Sequence, residues 1–136
     1  MSGSVHIAKQ VSAQLVEHAR RNPALECCGL LAGRDGVIAR LFPAANAAGD
    51  PAKSYDIAPA ELFGLMREMR AAGLELLGLY HSHPNGQNEP SASDIERAYY
   101  PDAAYFIIAP RADAAQPVRA FSIREGRVAE LAIEIV

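Results

Sequence analysis

The chain has 136 residues, half of them hydrophobic, and a formal net charge of −3; residues 1–136 fit one globular domain that buries about two thirds of its unfolded surface without staples. No basic cluster supports a nucleic-acid partner, no apolar run is long enough for a membrane span, and the opening MSGSVHIAKQ lacks the apolar core of a signal peptide. The two cysteines, Cys27 and Cys28, are adjacent and cannot build a disulfide framework, which points to a reducing cytoplasm.

From Val5 to Arg21, Ile7, Val11, Leu15 and Ala19 recur every fourth position, which predicts an amphipathic helix closed by Asn22-Pro23. His6 and His18 fall within it, without a partner at ligand spacing, and read as surface or packing residues. Leu25 to Ala32, then Gly33-Arg34-Asp35-Gly36, then Val37 to Phe42 predict a strand, a turn and a strand, hence a hairpin. Glu26 sits at the entrance of its apolar first strand, where a carboxylate is costly unless it faces solvent or has a task. Taken alone it reads as an edge charge. Cys27 and Cys28, with no base evident nearby, read as small core residues rather than nucleophiles.

Ala44 to Lys53 is an alanine-rich surface loop, and Tyr55 to Ile57 reads as a short strand. Pro59 opens a helix to about Ala72, with Leu62, Leu65, Met66 and Met69 on one face and Gly73 just beyond its end. Ser93 to Tyr100 predicts a short helix, with Ser93 and Glu96 spaced as a capping box. Strands follow at Ala104–Ala109 and Val118–Ile123, and a turn at Glu125-Gly126 leads into Val128–Val136. There Leu131, Ile133 and Ile135 alternate with Glu130, Ala132 and Glu134, so one face is wet. The expected architecture is α+β: a mixed central β-sheet flanked by helices in one domain.

The stretch from Leu74 to Asp94, LELLGLYHSHPNGQNEPSASD, carries the chemistry. Leu74 to Tyr80 predicts a buried strand, stopped by Pro84 and turned by Asn85-Gly86. Side chains alternate along an extended chain, so His81 and His83 point the same way. Asp94 offers a carboxylate on the next element. Two nitrogens and an oxygen, with a fourth position left to water, are what a catalytic zinc site needs. The competing reading makes the histidines surface residues and Asp94 a partner of a helix dipole. The pattern His-x-His-Pro, six residues, Ser, two residues, Asp arises by chance in such a chain on the order of once in a hundred thousand, which favours the metal.

Glu26 in ECCGLLAG, His81-Ser82-His83-Pro84, Ser91 and Asp94 together resemble the signature of the JAMM (MPN+) metallopeptidases. The likeness extends to the opening helix, the Gly-Leu-Leu-x-Gly hairpin, the SYDIAPAEL segment and the YFIIA strand, nearly the whole chain. It implies a cytidine-deaminase-like fold, one zinc, and hydrolysis of an amide or isopeptide bond at the C-terminus of a ubiquitin-like protein. By that resemblance His81, His83 and Asp94 bind zinc, Glu26 shuttles a proton from water to the leaving amine, and Ser91 helps hold the oxyanion. Ser82 matches the family's small residue, but alternation turns it away from the metal.

Long insertions of the kind eukaryotic relatives use to grip a ubiquitin pair have no room here. Small bacterial relatives are associated instead with β-grasp sulfur-carrier proteins, which they trim to Gly-Gly or relieve of cysteine. Ala58 stands where relatives often have an acidic residue, which weakens a helix cap. Three other readings fare worse. A non-catalytic module of the same fold would usually lack the ligands, and a RadC-like protein, whose histidine loop HSHPNG resembles, would carry a DNA-binding segment that does not fit ahead of Glu26. A nucleoside deaminase needs His-x-Glu and Cys-x-x-Cys, which this sequence lacks.

Overall fold

Two short turns show how local chemistry sets this fold. At Asp35-Gly36 and again at Glu125-Gly126 both residues have positive φ (54° and 76°, 50° and 78°), as a two-residue hairpin turn requires if it is to match strand twist. In the computed structural model, which describes residues 3–136, these turns join β2 (Cys28–Arg34) to β3 (Val37–Ala44) and β6 (Val118–Arg124) to β7 (Arg127–Ile135). The remaining elements are β1 (Ser4–Ile7), α1 (Lys9–Arg21), α2 (Pro59–Ala71), β4 (Glu75–Ser82), α3 (Ala92–Glu96) and β5 (Ala104–Ile108). Met1 and Ser2, which open the N-terminal stretch read above, lie outside the described residues.

The strands form one sheet in the order β1-β3-β2-β4-β5-β6-β7, closed because β1 pairs with both β3 and β7. It is mixed, as expected: β4–β5 and both pairings of β1 are parallel and the others antiparallel. Alternation along the strands builds two cores. Leu31, Tyr80, Phe106 and Ile108 face α1 with Ile7, Val11 and Leu15. Leu30, Leu79, Tyr105 and Ile107 face the other way, toward Met69 and its neighbours Leu62, Leu65 and Met66 on α2. Buried on both faces, β4 and β5 read as unbroken apolar runs. The methionines of α2 are core residues. Among the described residues no helix is long and apolar enough to cross a membrane.

Several predicted boundaries move. The opening helix starts at Lys9, not Val5, because Val5 and Ile7 belong to a strand whose bonds run to β3 and β7; those distant partners outweigh the helical spacing. Tyr55 to Ile57 forms no strand and joins no sheet ladder. The short helix ends at Glu96 rather than Tyr100. Its capping box is Ser91 with Asp94, not Ser93 with Glu96. β2 begins at Cys28, so Leu25, Glu26 and Cys27 precede the strand. Ala58 provides no side-chain cap to α2. His6 lies near Glu134 on the surface (3.3 Å), and His18 Nδ1 meets the Tyr80 hydroxyl at 2.7 Å, so neither approaches the histidine pair.

At Gly29, β2 lies close against β3 on one side and β4 on the other. A β-carbon there would lie 2.5 Å from the Phe42 carbonyl oxygen and 2.5 Å from the Tyr80 ring, inside contacts that neither backbone nor a buried ring can relieve. Gly29→Ala is expected to lower unfolding free energy by about 2–4 kcal/mol, measured by urea denaturation. Wild-type stability in that variant would show that β2 and β3 are packed less closely than described.

Candidate metal centre

β4 carries His81 into the interior, and backbone bonds carry the chain on past it. The His83 N–H donates to the Ile108 carbonyl at 2.9 Å, continuing the ladder with β5. His81 and His83 therefore fall on one side of the chain, as alternation requires. Their Nε2 atoms lie 3.0 Å apart. Asp94, on the first turn of α3, brings Oδ2 to 3.2 Å from His81 Nε2 and 3.1 Å from His83 Nε2. The same oxygen accepts the Ser91 N–H at 2.9 Å, and Ser91 Oγ accepts the Asp94 N–H at 3.0 Å. The capping box thus fixes the carboxylate that the histidines share.

The donor set tests whether a cation fits. His83 Nδ1 donates to the Gln87 carbonyl at 2.8 Å, so in the neutral ring Nε2 bears a lone pair. That lone pair faces an anionic oxygen and a second imidazole nitrogen, an arrangement that repels itself unless something positive lies between. A tetrahedral zinc with ligands at about 2.0–2.1 Å has ligand-to-ligand edges of about 3.3 Å; the three edges here are 3.0, 3.1 and 3.2 Å. The residues fit such an ion. Among the described residues they are the group of three or more His, Cys, Asp or Glu side chains close enough to share one.

Electrostatics at the site follow from burial and this sharing. Burial raises Asp94, but when His81 and His83 carry protons on Nε2 their bonds to its oxygen outweigh burial and hold the carboxyl far below its ordinary range. Burial keeps His81 below its usual value, against the pull of Asp94. His83 is also opposed by burial, yet its bonds to Asp94 and Gln87 raise it. Glu26 is only 7% exposed, and burial pushes its carboxyl up to about 7, with His83 lowering and Asp94 raising it further.

Glu26 is therefore no edge charge on the surface. It lines a cleft of about 480 Å³ together with His83, Ser91 and Asp94, with Tyr55 and Ile57 on one wall. Ser82 is fully buried and points away from the histidines, as expected. Its Oγ accepts the Cys27 N–H at 2.8 Å, which fixes the residue beside Glu26. Cys28 is buried and its thiol is pushed up to about 12, while burial also raises Cys27, so both remain protonated near neutrality. The sequence reading missed Tyr55, whose ring stacks on His81 with centroids 4.4 Å apart. It also missed the Gln87 carbonyl, which no side-chain pattern could reveal.

Comparison with known proteins finds a matching family and several relatives. The sequence profile described as prokaryotic homologs of the JAB domain matches residues 8–124. The desampylase of Haloferax volcanii is 33% identical over 115 residues, covering 80% of this chain and 83% of that protein. The CysO-cysteine peptidase of Mycobacterium tuberculosis is 33% identical over 124 residues, 90% of this chain and 84% of that one. The solution structure of protein DSY2949 from Desulfitobacterium hafniense superposes with a TM-score of 0.83 at 31% identity, covering 97% and 92% of the two chains. A solved structure described as JAMM, a metalloprotease-like zinc site in the proteasome and signalosome, shares the fold with a TM-score of 0.61 at 18% identity, over 96% and 97%.

Burying Glu26 has a measurable cost. The unfolded chain releases this proton near 4.5 and the folded chain at about 7, so between those values the folded state binds more protons and stability falls as pH rises. In chelator-treated protein, Glu26→Gln is therefore expected to melt a few degrees above wild type at pH 8, the gap closing toward pH 4.5. A variant melting at or below wild type at pH 8, followed by circular dichroism, would contradict the buried placement of this carboxyl.

Proposed function

Because the chain belongs to the family of prokaryotic homologs of the JAB domain, we propose that residues 1–136 act as one zinc-dependent hydrolase domain that cuts the amide or isopeptide bond after the C-terminal Gly-Gly of a ubiquitin-like sulfur-carrier protein. One observation carries this reading: His81, His83 and Asp94 bring three donor atoms within 3.2 Å of one another, and His83 and Asp94 line a cleft with Glu26 and Ser91. Its layering of helix, sheet and helix is read as cytidine-deaminase-like. The free thiols of Cys27 and Cys28 accord with a reducing cytoplasm.

His81, His83 and Asp94 would hold one zinc per chain, which when bound supplies Lewis acidity and brings water into a useful pKa range near about 7. Gln87 holds His83 in the tautomer that leaves Nε2 free to ligate. Glu26 would accept a proton from the attacking water and deliver it to the departing amine; a carboxyl held near neutrality can do both. The Ser91 oxygen already accepts the Asp94 N–H, leaving its O–H to donate toward an oxygen that gains negative charge.

The substrate follows from the cleft wall. Asp56 spends its N–H and C=O on Asn46 and Ala47. Backbone groups of an extended chain alternate in direction, so those of Tyr55 and Ile57 face the opposite way, and both residues line the cleft. An extended peptide can add along that rail by main-chain bonds, and glycine beside the cut lets the carbonyl approach without a side chain in the way. A flexible Gly-Gly tail on a β-grasp protein meets those demands. The names of two relatives, CysO-cysteine peptidase and desampylase, support the carrier class.

Metal analysis is expected to give about one zinc per chain in wild type and little in His81→Ala or His83→Ala; full retention in both variants would remove the assigned ligands. Glu26→Gln should keep its zinc and lose turnover by about 10²–10⁴-fold; zinc loss in that variant would make Glu26 a ligand instead. Mass spectrometry of carrier-cysteine and of a tail-extended carrier, incubated with wild type and Glu26→Gln, tests the substrate. Cleavage of neither by zinc-loaded wild type, alongside efficient cleavage of linked ubiquitin, would overturn the carrier reading.

A further inference from the structure

Glu26 lies before β2 begins, one residue beyond the bonds that join Cys27 to Ser82. Its backbone is held from elsewhere. The Glu26 N–H donates to the Pro51 carbonyl at 2.8 Å, and the Glu26 carbonyl accepts Asn46 Nδ2 at 3.0 Å. The same Asn46 amide also donates to the Ser54 carbonyl at 2.9 Å, with Pro51 O a longer third contact at 3.5 Å. On its other side, Asn46 Oδ1 accepts the N–H groups of Ala48 at 3.0 Å and Asp56 at 3.1 Å. Both donors and both acceptor sites of one side chain are in use. Flipping the amide would set oxygen against the carbonyls of Glu26 and Ser54 and nitrogen against two N–H groups, so the pattern fixes its orientation.

These bonds join two parts of the proposed site. The nitrogen ties the segment bearing Glu26 to the Ser54 carbonyl, just ahead of Tyr55, and the oxygen holds Asp56, whose pairing turns Tyr55 and Ile57 toward the cleft. We propose that Asn46 is a positioning residue that sets the Glu26 carboxylate and the Tyr55–Ile57 rail at a fixed separation, so that a bound tail presents its scissile bond to the base. Asn46 is not among the residues that line the cleft. Its role rests on the hydrolase reading above, yet its bonds can be tested without turnover.

The two halves of the amide can be separated. Asn46→Asp keeps an acceptor for Ala48 and Asp56 but loses the donor to Glu26 and Ser54, whereas Asn46→Ala loses both. Per folded, zinc-loaded molecule, Asn46→Asp is expected to lower kcat at least tenfold on carrier-cysteine with KM within about threefold of wild type. Asn46→Ala should lower kcat and raise KM together, and should weaken binding of a non-cleavable Gly-Gly-ended carrier by calorimetry. Hydrogen exchange provides a readout that needs no substrate: in Asn46→Ala the amides of Ala48 and Asp56 should exchange at least tenfold faster, and in Asn46→Asp they should stay protected. Both variants keeping wild-type kcat and KM, or Ala48 and Asp56 staying protected in Asn46→Ala, would overturn the proposal. If wild type cleaves and binds no carrier, the substrate reading has failed, and the exchange rates alone decide whether Asn46 holds the two segments.

Discussion

The antiparallel register of β2 on β4 governs this molecule. Cys28 pairs with His81 and Gly29 with Tyr80, so the chain just ahead of β2 arrives beside the chain that leaves β4. That places Glu26 at the histidines from more than fifty positions away in sequence. The register admits little slip: a one-residue shift would exchange the faces of every side chain on β4 and turn His81 toward the core that Tyr80 occupies with α1. Gly29 permits the fit, since only a residue without a side chain lets Phe42 and Tyr80 close from either side. Ser82 extends the match by two bonds, its N–H donating to the Cys27 carbonyl and its Oγ accepting the Cys27 N–H.

What the sequence revealed and concealed divides along the same line. His81, His83 and Asp94 share a short segment, where strand alternation and a helix cap act locally, and their convergence was legible from spacing. Glu26 was not legible by itself. A carboxylate ahead of an apolar strand looks the same whether it faces water or a cleft, and only the likeness to a family singled it out. The alanine-rich loop concealed Asn46 because its partners are backbone atoms, which carry no residue identity. β1 was lost for a related reason: four residues with partners more than thirty and more than a hundred positions away fit a helical period as easily as a strand. The misplaced capping box is a closer miss. Ser91 and Asp94 satisfy the same spacing as Ser93 and Glu96, and the helix begins at Ala92, two residues before the other pair would start it.

The site is also where the molecule departs from ordinary stabilising rules. Three electron-pair donors crowd together beside a cleft, His81 buried and the other two half-buried, and the Glu26 carboxyl lies buried at the same cleft. Each is a poor choice for stability. The surrounding structure compensates with rigid supports: two ladder strands, a reciprocal cap, and a backbone carbonyl for His83. Polar groups that are costly when the protein folds become useful when a cation and a substrate arrive, a trade expected where function rather than packing has fixed the residues.

The closure of the sheet bears on how the chain reaches this structure. β1 pairs Val5 with Ile133 and His6 with Glu134, contacts spanning nearly the whole chain. Bringing such remote segments together has the greatest loop-closure entropy to overcome, so closure comes favourably only after the intervening strands have paired. The elements that bear His81, His83, Asp94 and Glu26 lie in the middle of the strand order, among β2, β4 and β5. A folding chain can therefore bring the segments bearing His81, His83, Asp94 and Glu26 together while the seam between its two ends is still open.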